Sequence, residues 1–257
     1  MSGALRIRIS GVDFFGQGQH DFVLSPDGFT GWDDGADIRR DDVGRPQQHG
    51  SYDRPGYQGS RVVSLSGSSF ADSNQQLIVN GRRLTGILAG GGSGRIQVDR
   101  DGEILWADCR LASKTKFTER GGQNMADFQL QLWCPDPRKF GETRTYAASV
   151  GANANGVRHY GNFEATPSFV VAGSMPGGYV LTLMGVNFYV TWPLVSGHPH
   201  SIDYADGQLW VDGVQIHGGL GITNTPTIPA GANTALGIVP LTTGTATATM
   251  TLLDTFI

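Results

Sequence analysis

A mainly β fold in two domains with a single helix is what this sequence predicts, and three observations carry the prediction. Apolar residues recur with a period of two in one short run after another, the signature of strands that bury one face. Turn formers abound, with 38 Gly, 12 Pro and 19 Asp, whereas the long-chain helix formers Glu and Lys number only 4 and 3. Charge also changes abruptly: residues 1–147 hold 18 Lys+Arg and 18 Asp+Glu, while residues 148–257 hold one base, Arg158, against Glu164, Asp203, Asp206, Asp212 and Asp254. Such a step marks a domain boundary, so the domains are expected at 1–147 and 148–257.

Leu5, Ile7 and Ile9 alternate with Arg6, Arg8 and Ser10 and predict a half-buried first strand. A short apolar run follows at 20–24. Residues 25–60 then show almost no periodicity and carry Asp27-Gly28, Asp34-Gly35, Arg45-Pro46 and Arg54-Pro55. A loop of that length in a compact domain is usually functional or ordered by a partner. A strand resumes at 60–66. The one helix is expected within 72–88, capped by Asp72 or Ser73 and presenting Leu77, Leu84 and Leu88 on one face, with Gly81 costing about 1 kcal/mol relative to Ala. Ile96 and Val98 lead to Asp101-Gly102 and then Ile104, Leu105 and Trp106, a hairpin signature. Phe128, Leu130 and Leu132 alternate with Gln129, Gln131 and Trp133 in a further strand, which Pro135 and Pro137 bring to an end.

Residues 147–155 are small, polar and linker-like. Beyond them lie expected strands at 169–172, 179–184, 186–192, 209–212, 214–216, 235–239 and 245–253, separated by Gly177-Gly178, Asp206-Gly207 and Asp212-Gly213. That spacing is the pattern of an antiparallel sandwich, and no helix is needed in it.

Neither half has the basic excess with which a protein displaces counterions from nucleic acid. The N-terminal MSGALRIRIS lacks the apolar stretch of a signal peptide, and no run is long enough to span a membrane, so a soluble protein made in the cytoplasm is expected. Cys109 and Cys134 lie in apolar strand-like runs and read as buried thiols, with a pairing left open should their strands be neighbours.

Catalytic patterns are incomplete. His198-Pro199-His200 with Asp203 has the composition of a metal site without an established ligand spacing. Asp33-Asp34 and Asp41-Asp42 read as solvated charge beside arginines and not as a pair for glycoside cleavage. Gly90-Gly91-Gly92-Ser93-Gly94 lacks the Lys-Ser/Thr of a phosphate loop, and two approaches to Gly-x-Ser-x-Gly, at 67–71 and 91–95, miss the last glycine. No enzyme and no cofactor is expected.

Arg45-Pro46, His49-Gly50-Ser51-Tyr52, Gly59-Ser60-Arg61 and the run from Pro135 to Gly141 occur in the first half. Tyr160-Gly161-Asn162, Thr166-Pro167, Gly173, Ile202-Asp203-Tyr204, the run from Leu209 to Gly213 and the run from Ile228 to Asn233 follow in the second. In this order the sequence resembles the distal tail protein (Dit-like) family of siphophages, the long-tailed phages with non-contractile tails. The resemblance implies an N-terminal belt domain, a β-sandwich with one helix that forms a homohexameric ring, and a C-terminal galectin-like β-sandwich. It also implies a virion protein at the tail tip, contacting the tail tube protein on one side and the tail hub on the other, with DNA passing through the lumen without specific binding.

On that reading the loop at 25–60 reaches a neighbouring subunit or the tube. Trp32, Arg39, Arg40, Arg45, His49, Tyr52, Arg54 and Tyr57 are its interface candidates, being the aromatic and arginine residues that anchor contacts. The alternative is a carbohydrate-binding tail module that contacts the host cell wall through Trp192, Tyr204 and Trp210. The alternation around Trp192 and Trp210 favours core positions for both, and the single arginine of the second half departs from the polar constellation of galectins.

Overall fold

The computed structural model describes residues 5–121 and 124–257. The chain divides into two compact units, the first ending at Lys139 and the second running from Phe140 to Phe256.

The first unit contains β1 (Leu5–Ile9), β2 (Val12–Phe15), β3 (Phe22–Thr30), β4 (Ile38–Arg39), β5 (Tyr57–Gln58), β6 (Arg61–Phe70), α1 (Asn74–Thr85), β7 (Gly94–Arg100), β8 (Glu103–Leu111), β9 (Lys116–Glu119) and β10 (Met125–Cys134). Strands pair in the order β8-β7-β1-β2-β3-β6-β10, and β10 pairs back onto β8. The ladder therefore closes into a barrel, where two separate layers were expected, and the mainly β class with one helix holds. Closure removes the open edges that a flat sheet must protect. Alternation turns Val63, Leu65, Phe128, Leu130 and Leu132 inward. Phe14, Phe22 and Phe128 meet there with ring centroids 5.3 to 5.7 Å apart. Each such buried ring contributes about 2 kcal/mol of hydrophobic stabilisation.

The β7–β8 hairpin turns at Asp101-Gly102 as predicted, with φ of 54° and 89°. Ser10 and Gly11, at 49° and 77°, make a second tight hairpin between β1 and β2 that the sequence reading passed over. β3 differs from expectation too. It continues past Leu24 to Thr30, absorbing Pro26 and Asp27-Gly28 in a register shift between Leu24 and Phe29. Gly28 is required there, since a Cβ would collide with the Ser66 carbonyl.

The helix begins at its predicted cap. Ser73 Oγ accepts from the Gln76 N–H at 3.2 Å, and Leu77 and Leu84 are buried on one face. Asn80 shares that face, donating to Ser69 Oγ and the Phe70 carbonyl. Gly81 faces β9, where a Cβ would lie 3.0 Å from the Phe117 ring and press it aside.

The second unit contains β11 (Lys139–Ser149), β12 (Ala154–Arg158), β13 (Ser168–Ser174), β14 (Tyr179–Leu183), β15 (Val186–Val190), β16 (His200–Asp203), β17 (Gln208–Val211), β18 (Val214–Gln215), β19 (Leu220–Thr223), β20 (Asn233–Pro240) and β21 (Thr245–Phe256). β11 runs through residue 147, so the charge step falls inside a strand. One sheet has the order β18-β17-β16-β13-β21-β11 and the other β12-β20-β14-β15-β19. Phe169, Val171, Ile202, Leu209 and Met250 of the first share a core with Leu181, Phe188, Val190, Leu236 and Ile238 of the second, the sandwich that the spacing predicted.

The motif segments of this unit have structural work. Tyr160 N–H donates to Asp254 Oδ1 at 2.9 Å, and a Cβ on Gly161 would collide with the Thr255 carbonyl. His159 Nε2 accepts from the Thr255 N–H at 3.0 Å, while its Nδ1 lies 3.2 Å from the Pro229 carbonyl. Together they clip the chain before β13 onto the last strand.

Candidate assembly interface

The segment between β3 and β6 is largely without regular structure but carries a short two-stranded pairing of its own, apart from the barrel. After Thr30 the chain turns at Gly31, whose φ of 81° and close approach to the Val62 carbonyl exclude any side chain. It then leaves the core and returns as a two-stranded arm. β4 pairs with β5 through Ile38↔Gln58 and Arg39↔Tyr57. Farther out, Gly44 bridges to Ser51, the Tyr52 N–H donates to the Val43 carbonyl at 2.9 Å and the Arg45 N–H donates to the Gly50 carbonyl at 3.1 Å. Every residue from 37 to 57 is exposed.

The arm is anchored at its root by two buried cations. Arg61 Nη1 donates to the carbonyls of Gly31, Trp32 and Asp34 at 2.8, 2.9 and 2.5 Å, and its Nε donates to that of Pro137 at 3.0 Å. Lys139 Nζ donates to the Trp32 carbonyl at 2.9 Å. Burial pushes the pKa of both groups down, with Asp33 pulling each the other way. The carbonyls recover part of what the charges lose in leaving water.

Trp32 corrects an expectation: it is 2% exposed, stacked on Phe29 in the core. It holds the root and presents no surface. Arg39, Arg40, Arg45, His49, Tyr52, Arg54 and Tyr57 all lie on the exposed arm. Arg39 stands opposite Tyr57, and the Arg45 guanidinium lies 5.8 Å from the Tyr52 ring centroid. Tyr52 and Tyr57 are 51% and 65% exposed, and Ile38, which the sequence reading missed, is 59% exposed. Ile38 sits between Asp37 and Arg39 in a run without recognisable period, so only its pairing with Gln58 reveals its place.

Several of the groups weighed for chemistry have structural partners instead. Asp33 pairs with Arg100 at 2.6 Å, and Asp34 accepts from the Gly31 N–H at 2.9 Å. His198 lies against Asp212 at the surface, whereas His200 is buried with its Nδ1 3.0 Å from the Tyr179 hydroxyl, so the two do not converge. No metal-holding cluster occurs among the described residues. No helix is long and apolar enough to cross a membrane. Tyr204 is buried against Phe169 and Phe188, Trp210 is half-buried, and Trp192, expected in the core, is 42% exposed. Trp192 lies just past the end of β15, where alternation no longer fixes which way a side chain faces.

No protein-family model matches the sequence. No curated protein matches it either. Among solved structures, the Dit protein (gp 19.1) of phage SPP1, described as a paradigm of the hub adsorption apparatus in phages that infect Gram-positive bacteria, is similar over 98% of this chain and 99% of its own, with a TM-score of 0.74 and 14% identity. Chains of the phage P2 baseplate in its activated conformation, with Ca and with Sr, give TM-scores of 0.42 and 0.38, each at 9% identity and over at least 96% of both chains. Along nearly its whole length this chain therefore has the fold of the SPP1 distal tail protein, as its sequence motifs anticipated.

Proposed function

We propose that the protein is a structural component of a phage tail, a distal tail protein whose first unit forms a homohexameric belt between the tail tube and the hub, and whose second unit is the galectin-like domain. The observation that carries this reading is the arm. A hydrogen-bonded ribbon that leaves tyrosines and an isoleucine in water has no core of its own to hold it. Set on a closed barrel with the SPP1 Dit fold, it supports head-to-tail contact between copies. Asp33, Asp34, His198, His200 and Asp203 are engaged in ion pairs, turns or buried hydrogen bonds, which supports a role without turnover or cofactor.

The test is localisation and assembly on the virion. Cryo-electron microscopy of the parent particle is expected to show six copies around the axis at the far end of the tail tube, each arm against its neighbour. A position elsewhere in the particle, or arms in solvent, overturns the reading. One observation favours the glycan-binding alternative, the exposure of Trp192. Binding to cell-wall glycan that a folded Trp192→Ala variant loses would establish it; the belt reading expects no such binding.

A further inference from the structure

The closure of the barrel brings the two cysteines together. Cys109 on β8 and Cys134 on β10 are 1% and 0% exposed and belong to one core cluster. β10 meets β8 in the register Leu132↔Leu111 and Trp133↔Arg110, and one further step sets Cys134 opposite Cys109. The Ala112 N–H donates to the Gln131 carbonyl at 2.9 Å in the same register. That makes 112 and 131 a hydrogen-bonded pair, so by alternation 109 and 134 form a non-hydrogen-bonded pair, the kind whose side chains stand closer. The ladder stops there because Pro135 has no N–H to continue it. Cβ atoms of such pairs approach to about 4.5 Å, and a disulfide accepts about 3.5–4.5 Å.

We propose that Cys109 and Cys134 are a latent cross-strand disulfide, a covalent latch that seals the barrel when a small disulfide oxidant such as oxidised glutathione reaches it. In the reaction the thiolate of one cysteine attacks a sulfur of the oxidant and displaces a glutathione thiolate. The other cysteine then attacks the protein sulfur of the mixed disulfide and displaces the second. Two protein thiols are oxidised, one glutathione disulfide is reduced to two thiols, and the two protons leave on glutathione.

The step is slow by construction. Burial pushes the Cys109 thiol up to about 11 and the Cys134 thiol up to about 12, Cys134 also through its neighbour Cys109. Arg61 favours the Cys134 thiolate, and Asp108 and Asp136 oppose it. Attack needs the thiolate, so the latch closes through transient opening of the β8–β10 seam and faster as pH rises. The chemistry is independent of the tail reading. A virion protein would remain reduced in the cytosol and meet oxidants after release.

The full purified chain is held with excess oxidised glutathione at about pH 8.5, the ordinary pKa of a cysteine that seam opening exposes, or with dithiothreitol, then unfolded and alkylated. The reduced chain is expected to take up two alkyl groups. The oxidised chain takes up none, loses about 2 Da as the S–S bond replaces two S–H bonds, and yields a peptide pair joined at Cys109 and Cys134. It also melts several degrees higher, a gain that reductant reverses. Two alkylatable thiols after prolonged oxidation, glutathione left on either cysteine, or dimers joined through sulfur would each overturn the proposal.

Discussion

At Arg61 a single guanidinium gathers the carbonyls of Gly31, Trp32, Asp34 and Pro137. Replacing it with Ala takes the donor from the Gly31, Asp34 and Pro137 carbonyls and leaves Trp32 with Lys139 alone, and Arg61→Ala is expected to cost about 3 kcal/mol in urea unfolding. Arg61→Lys restores charge without the fork and recovers only part of that loss. Two carboxylate and imidazole sites set the acid response. The Arg8 guanidinium, helped by Arg6, holds the Asp13 carboxyl down at about 2. Its contribution to stability is complete above the ordinary aspartate range near pH 4 and is lost as pH falls through about 2. His200 acts at milder pH. Burial lowers its pKa, with the Pro193 carbonyl opposing. Below about pH 6.5 the unfolded chain therefore takes up a proton that the folded chain refuses, and stability declines. Urea midpoints at pH 7 and pH 5 check this, and His200→Gln is expected to flatten the difference. Trp32 shows what residue-level reading lacks: an aromatic among charges looks like an anchor for a partner, and only the turn at Gly31 reveals that it points inward.

Elements with strong period were legible, and those built by long-range pairing were not. The helix, the Asp101-Gly102 hairpin and the alternating strands at 60–66 and 128–132 follow from local chemistry. β9 and the arm strands are too short to show a period, and β3 crosses a proline and an Asp-Gly because β6 holds it on both sides of a bulge. Gly81 illustrates the same limit. Helix propensity alone makes Gly81→Ala worth about 1 kcal/mol, but the Phe117 ring stands in the way, so thermal melts are expected to show no gain or a loss for Gly81→Ala and a gain once Phe117→Leu is added. The arm gives the second test at this scale. Arg39 and Arg40 are exposed, whereas Arg45 and Arg54 each precede a proline that blocks cleavage, so trypsin is expected to cut the free chain after residue 39 or 40 and, on the belt reading, to spare those bonds in the assembled state. Equal cleavage in both states would deny the arm a role in assembly.

For the molecule as a whole, order along the chain carried the fold further than any single motif. The turn patterns are weak one by one, yet taken in order they pointed to a fold shared with a solved structure only 14% identical. The two compact units part at Lys139, whereas the change in charge lies near residue 147, inside β11. Barrel closure was hidden because it depends on β10 meeting β8, two strands whose alternation is equally compatible with an open sheet. Charge neutrality over residues 1–147 predicts that the protein does not remain on a duplex DNA column at about 0.15 M salt; retention there would argue against a passive conduit.

The root of the arm has a further consequence for copy number. A contact in which every subunit grips the next in the same direction repeats one rotation, and that rotation either returns to its start or winds on as a filament. If the arm makes the contact that the belt reading proposes, that rotation depends on where the ribbon departs, at Gly31 and the carbonyls that Arg61 and Lys139 hold, more than on the side chains at its tip. Tip substitutions should therefore weaken assemblies of unchanged symmetry, whereas a Gly31→Ala chain that still folds would build spirals or circles with a different number of members.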